Sequence, residues 1–91
     1  MPITITLPTV LAKLADDQRT IEASGATLGE TIADVATRFP QLAPRLRDAD
    51  GNPYTFVTFY LNDEDIRFTG GFAAPVRDGD EVTVVPAIAG G

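Results

Sequence analysis

Cysteine and histidine are both missing from these 91 residues. Without cysteine there is no thiolate nucleophile, no disulfide and no Cys-ligated zinc. Without histidine the usual neutral-pH general base is gone, so neither a self-sufficient triad nor a His-ligated metal site can be assembled. The chain is therefore expected to be no enzyme in its own right and to hold no metal. Lysine occurs once, at Lys13. That leaves few acceptors for self-linked chains, while attachment to another protein's lysine stays open. Basic residues are scarce too: seven against thirteen acidic ones give a formal net charge of −6. Such a balance repels phosphate backbones and anionic lipid surfaces, so neither nucleic acid nor membrane is an expected partner. It suits steering toward a basic protein face, or plain solubility. No basic segment followed by an apolar stretch opens the chain, and no apolar run approaches ~20 residues. A soluble cytoplasmic protein is expected.

What is present argues for one small globule. Hydrophobic residues make up 44% of the chain, enough for a modest core and too many for a disordered segment. Ile3, Ile5 and Leu7 alternate with Thr4 and Thr6, the period of a half-buried strand, and Pro8 closes it. Leu11 and Leu14 suggest a short apolar turn. Asp16 and Asp17 bend the chain into a second strand from Arg19 to Ala23, forming a hairpin with a long connection.

Thr27-Leu28-Gly29-Glu30 has the form of a capping box and starts a helix. Leu28, Ile32, Val35, Ala36 and Phe39 share one face of it, with Thr31, Asp34, Thr37 and Arg38 on the wet side. Pro40 stops it. Leu42 and Leu46 imply a short helical turn, and Asp48 to Pro53 a loop. Phe56 to Leu61 reads as a central strand, Asn62 to Asp65 as a turn and Ile66 to Phe68 as a short strand broken by Gly70-Gly71. Asp78-Gly79-Asp80 turns the chain into a last strand, Glu81 to Val85, with Pro86 ending the pairing.

The order hairpin, helix, further strands predicts an α+β fold, a mixed sheet under one main helix, in the β-grasp or ubiquitin-like arrangement. There the first and last strands lie side by side at the sheet centre. Residues 1–86 would form this domain and residues 87–91 a flexible C-terminal Gly-Gly tail reaching ~16–18 Å beyond it. Gly90 and Gly91 lack a Cβ, so they can thread a narrow tunnel and present a terminal carboxylate for chemistry done by a partner. A frayed terminus, where small residues collect anyway, is the alternative.

Other candidate sites read as structure. Asp63, Glu64 and Asp65 lack the ligand spacing of a calcium loop, as does Asp48-Ala49-Asp50, and both read as solvated turns. Gly70-Gly71 has no Lys-Ser/Thr pair after it and reads as a turn, not a phosphate cradle. Phe56, Phe59, Tyr60, Phe68 and Phe72 divide between core and a surface where partners dock.

The run Asp78-Gly79-Asp80-Glu81-Val82, a strand, Pro86 and Gly90-Gly91 resembles the small sulfur carriers of the ubiquitin-like ThiS/MoaD superfamily. The likeness extends through Ile5-Thr6-Leu7-Pro8-Thr9, Ser24-Gly25-Ala26-Thr27-Leu28-Gly29, Asn62 to Phe68 with Gly70-Gly71, and Val85 to Gly91, and is strongest toward the CysO branch. The Ala-rich tail departs from the Ser-Gly-Gly ending common in the molybdopterin branch. The resemblance implies a cycle run by partner enzymes. An activating enzyme with ATP and magnesium adenylates the Gly91 carboxylate, and a sulfur donor displaces AMP to leave a thiocarboxylate. Activation is needed because a carboxylate is a poor electrophile. A pyridoxal-phosphate (PLP) cysteine synthase then supplies the acceptor, and a zinc metalloprotease releases the cysteine formed on Gly91. In this scheme Gly91 is the reacting residue, Ala87, Ile88, Ala89 and Gly90 thread it into the partner, and the cofactors belong to the partners. The resemblance also leaves open a molybdopterin synthase small subunit, another ThiS/MoaD-type donor, or a protein modifier forming isopeptides.

Overall fold

The computed structural model describes residues 2–54 and 56–86. The first strand, β1 (Ile3–Thr6), alternates buried isoleucines with half-buried threonines. After Pro8 comes a single helical turn, α1 (Thr9–Ala12), which buries Leu11 and Ala12. Asp16 and Asp17 both take left-handed backbone, φ 54° and 62°, and Asp17 N–H donates to the Ala12 carbonyl at 2.8 Å. These two short polar residues tolerate that conformation and turn the chain back into β2 (Thr20–Ala23), antiparallel to β1.

The main helix, α2 (Leu28–Arg38), begins as its sequence requires. Thr27 Oγ1 accepts the Glu30 N–H at 3.2 Å, and the Glu30 carboxylate accepts from Ala26 N–H at 3.0 Å, one residue before the cap. Leu28, Ile32, Val35 and Ala36 are buried as expected, but so is Thr31, assigned above to the wet side. The reason is Gly25, whose backbone crosses the first helical turn: a Cβ there would lie 2.7 Å from Thr31 N and 2.9 Å from its Oγ1. Covered this way, the Thr31 hydroxyl donates to the Thr27 carbonyl at 3.0 Å. Residues 74–76 stitch the same end down, through Leu28 N–H to Ala74 O and Val76 N–H to Ala26 O.

Beyond α2, Leu42 and Leu46 are fully buried on either side of a 3-10 turn, Ala43–Arg45. Strand β3 (Val57–Leu61) starts one residue later than the apolar run suggests, leaving Phe56 exposed. Asn62 and Asp63, with φ 52° and 71°, form a two-residue hairpin loop of the kind that matches strand twist. Glu64–Asp65 therefore make a strand, β4, where a turn was expected. Ile66–Phe68 is a 3-10 turn and not a strand. The Asp65 carboxylate accepts both the backbone N–H of Arg67, at 2.9 Å, and its guanidinium, which curls the chain while Ile66 is buried. The last strand, β5 (Glu81–Pro86), includes Pro86, which stays in register with Val57.

The five strands run in the order β2-β1-β5-β3-β4, with β1 and β5 parallel and the other neighbours antiparallel. This is the β-grasp arrangement. The middle strand is β5, so the apolar run of β3 lies one place off centre. Ile3, Ile5, Ile21, Phe59, Val82 and Val84 from the sheet meet Leu28, Ile32 and Val35 from α2 in one buried cluster.

Candidate functional site

The reacting residue expected from the sequence, Gly91, and the threading residues Ala87, Ile88, Ala89 and Gly90 lie outside the described residues. The structure describes what holds their root. Val82 and Val84 of β5 are buried on the helix side of the sheet, and both strand edges are occupied, by β1 and by β3. Drawing β5 out would break two ladders and uncover the core. At its far end the strand is pinned by a polar knot. The Asp80 carboxylate accepts the Arg77 N–H at 2.8 Å and the Asn62 amide at 3.0 Å, while Asn62 Oδ1 accepts the Glu81 N–H at 2.9 Å. These contacts, the Arg77 backbone N–H first and the Asn62 side chain second, hold the Asp80 carboxyl below the usual carboxylate range.

At the other end β5 opens onto a groove of about 380 Å³. Pro86 and its register partner Val57 form one side of it, and Val10, Leu11, Tyr54 and Phe56 add to the lining. The Tyr54 and Phe56 rings meet edge to face, 5.5 Å between centroids. Arg45, from the 3-10 turn, is the sole charged residue of the lining among the described residues. Among the described residues its guanidinium has no hydrogen-bond or ion-pair partner. Sequence reading flagged Phe56 as a candidate docking residue but missed Val10, Tyr54 and Arg45. They come from three distant segments, and no periodicity announces that they meet.

The acidic turn behaves as a structural element. Asp65 is held below the usual carboxylate range by its side-chain bond to Arg67, then by the Arg67 N–H, and Arg67 is raised in return by Asp65. Among the described residues no group of three or more His, Cys, Asp or Glu side chains is placed to hold a metal ion. Among the same residues, no helix is long and apolar enough to cross a membrane.

Comparison with known proteins supplies the context for this geometry. A model of the ThiS family matches residues 5–91. The sulfur carrier protein CysO of Mycobacterium tuberculosis is 43% identical over 93 residues, an alignment spanning all of both chains. Small archaeal modifier protein 3 of Haloferax volcanii is 33% identical over 66 residues, 72% of this chain and 71% of that protein. Among solved structures, the Amycolatopsis orientalis BexX/CysO complex contains a chain that superposes with a TM-score of 0.89 at 42% identity, covering 98% of this chain and 99% of that one.

Proposed function

Because the chain belongs to the ThiS family of small ubiquitin-like sulfur carriers, we propose that it carries sulfur on the carboxyl group of Gly91 for cysteine biosynthesis. It is a cosubstrate handed between enzymes and not itself a catalyst. The observation that supports this reading most is the full-length identity of 43% to a CysO protein.

In the proposed cycle an activating enzyme joins the Gly91 carboxylate to AMP from ATP, releasing pyrophosphate. A sulfur donor then attacks the acyl carbon and AMP leaves, so one carboxyl oxygen is replaced by sulfur. The thiocarboxylate sulfur next bonds to the β-carbon of a serine unit that a PLP-dependent cysteine synthase has taken from O-phosphoserine, the carbon–oxygen bond there having broken with release of phosphate. The acyl group moves from sulfur to the neighbouring amine, and a zinc metalloprotease hydrolyses the amide to free cysteine and restore the Gly91 carboxylate. ATP with magnesium, PLP and zinc are the partners' cofactors in this scheme, and the cytoplasm is its setting. This chain contributes recognition and a firmly seated tail root. The lack of cysteine fits, since a thiol on the carrier could attack its own activated end.

Incubation with the cognate activating enzyme, ATP and a sulfur source tests the proposal. The intact mass should rise by the exchange of one oxygen for one sulfur, and a variant lacking Gly91 should show no rise while keeping its fold. No change in the wild type, with an enzyme shown active on another carrier, would overturn it. A second reading, conjugation to lysines of other proteins, is favoured by the similarity to the archaeal modifier. A diglycine remnant on target lysines after protease digestion would support that reading instead.

A further inference from the structure

Resting on the sulfur-carrier reading, we propose that the groove at the end of β5 is where the activating enzyme grips the carrier, by inserting an apolar side chain with a carboxylate beside it for Arg45.

The described residues expose four large hydrophobic side chains, and two of them, Val10 and Phe56, line this groove. Val10 is 61% exposed and Phe56 55%. Phe56 precedes Val57, the register partner of Pro86, and both Phe56 and Val10 line the same groove as Pro86. Apolar side chains gathered at one place on a small acidic protein mark a surface that another protein covers.

The charge of the groove says what covers it. The chain as a whole is acidic, at −6, yet among the described residues no carboxylate lines the groove, and its one charge is the guanidinium of Arg45, which has no partner among them. Covering that surface with an apolar segment alone would strip water from a cation and give it no counter-ion, which is costly. A carboxylate next to the inserted side chain removes the cost and can take both prongs of the guanidinium. The planar fork then fixes the orientation of the docked carrier.

Position says which partner. The groove shares Pro86 with the root of the tail, and five extended residues reach ~16–18 Å. An enzyme that receives Gly91 in its active site must therefore have its surface against this part of the carrier. The activating enzyme is the first that has to do so.

The test is steady-state thiocarboxylate formation by the purified cognate activating enzyme, with carrier concentration varied. Arg45→Glu and Phe56→Ser should each raise KM for the carrier about tenfold, with kcat within about twofold of wild type. Salt, which weakens the wild-type contact, should instead lower KM for Arg45→Glu by screening the new repulsion, and an acidic-to-Arg change on the enzyme should restore tight binding to Arg45→Glu. Phe68→Ser serves as the control, because Phe68 is 83% exposed but lies in the 3-10 turn after β4, outside the groove. Unchanged KM for both groove variants would overturn the docking site while leaving the carrier function intact. A fall in kcat with unchanged KM would also overturn it, as would a groove closed by a second copy of this chain in sedimentation. Absence of loading in the wild type would instead sink the carrier reading, and the docking site with it.

Discussion

At the residue scale, single atoms decide what the local sequence cannot. The capping box at Thr27 and Glu30 is legible because it is a local exchange of backbone and side-chain bonds. The burial of Thr31 is not, because it depends on Gly25 passing over the helix, a tertiary event that helical periodicity does not encode. Gly25→Ala should therefore destabilise the fold by about 1–3 kcal/mol, as expected when an atom is forced into a filled space. Urea unfolding checks this, and an unchanged midpoint would mean that the crossing can open. Asp80 makes a pH prediction. Its carboxyl is lowered in the fold by the Arg77 N–H and the Asn62 amide, so folding favours the charged form. The stability gained is fully present above the pKa of the unfolded carboxylate and is lost as pH falls through the lowered folded value. Between pH 5 and about pH 3 the wild type should thus lose more stability than Asp80→Asn, which keeps an acceptor oxygen but does not titrate.

At the element scale the pattern of strands and helix is legible wherever burial alternates regularly, as in β1 and α2. It fails at Ile66–Phe68, where the pull of one buried isoleucine and the bonds from Asp65 to Arg67 outweigh the strand-like composition. The free edge of β2 is a further element that only the structure reveals. The bond from Leu7 N–H to Arg19 O sets the ladder phase, so Thr20 and Glu22 turn their backbone groups outward. Two residues of the last turns of α2 occupy part of that edge. Arg38 donates to the Glu22 carbonyl, and Asp34 accepts the Ser24 N–H at 3.1 Å. An open edge is a template for pairing with another chain. The double change Asp34→Ala with Arg38→Ala should raise self-association, visible as a concentration-dependent sedimentation coefficient, whereas the wild type stays monomeric over the same range. Equal behaviour of the two would remove the edge-guarding role.

At the scale of the whole molecule, the β-grasp order was legible because its hairpin, capped helix and final strand each carry a strong local signal. The groove beside Pro86 was not, since Val10, Arg45, Tyr54 and Phe56 meet only once the sheet has closed. In the proposed function a division of labour follows from the whole: a central strand held by two neighbours and a polar knot seats Pro86, from which Gly91 would be presented to other proteins for the reactive chemistry. The most direct measurement of this account is the intact mass of the protein isolated from its own cells, with sequencing of its last peptide. The account predicts a population ending at Gly91 that carries a thiocarboxylate or an amide-linked cysteine. A chain bearing permanent residues beyond Gly91, or one found only as the unmodified acid while sulfur is being assimilated, would contradict it.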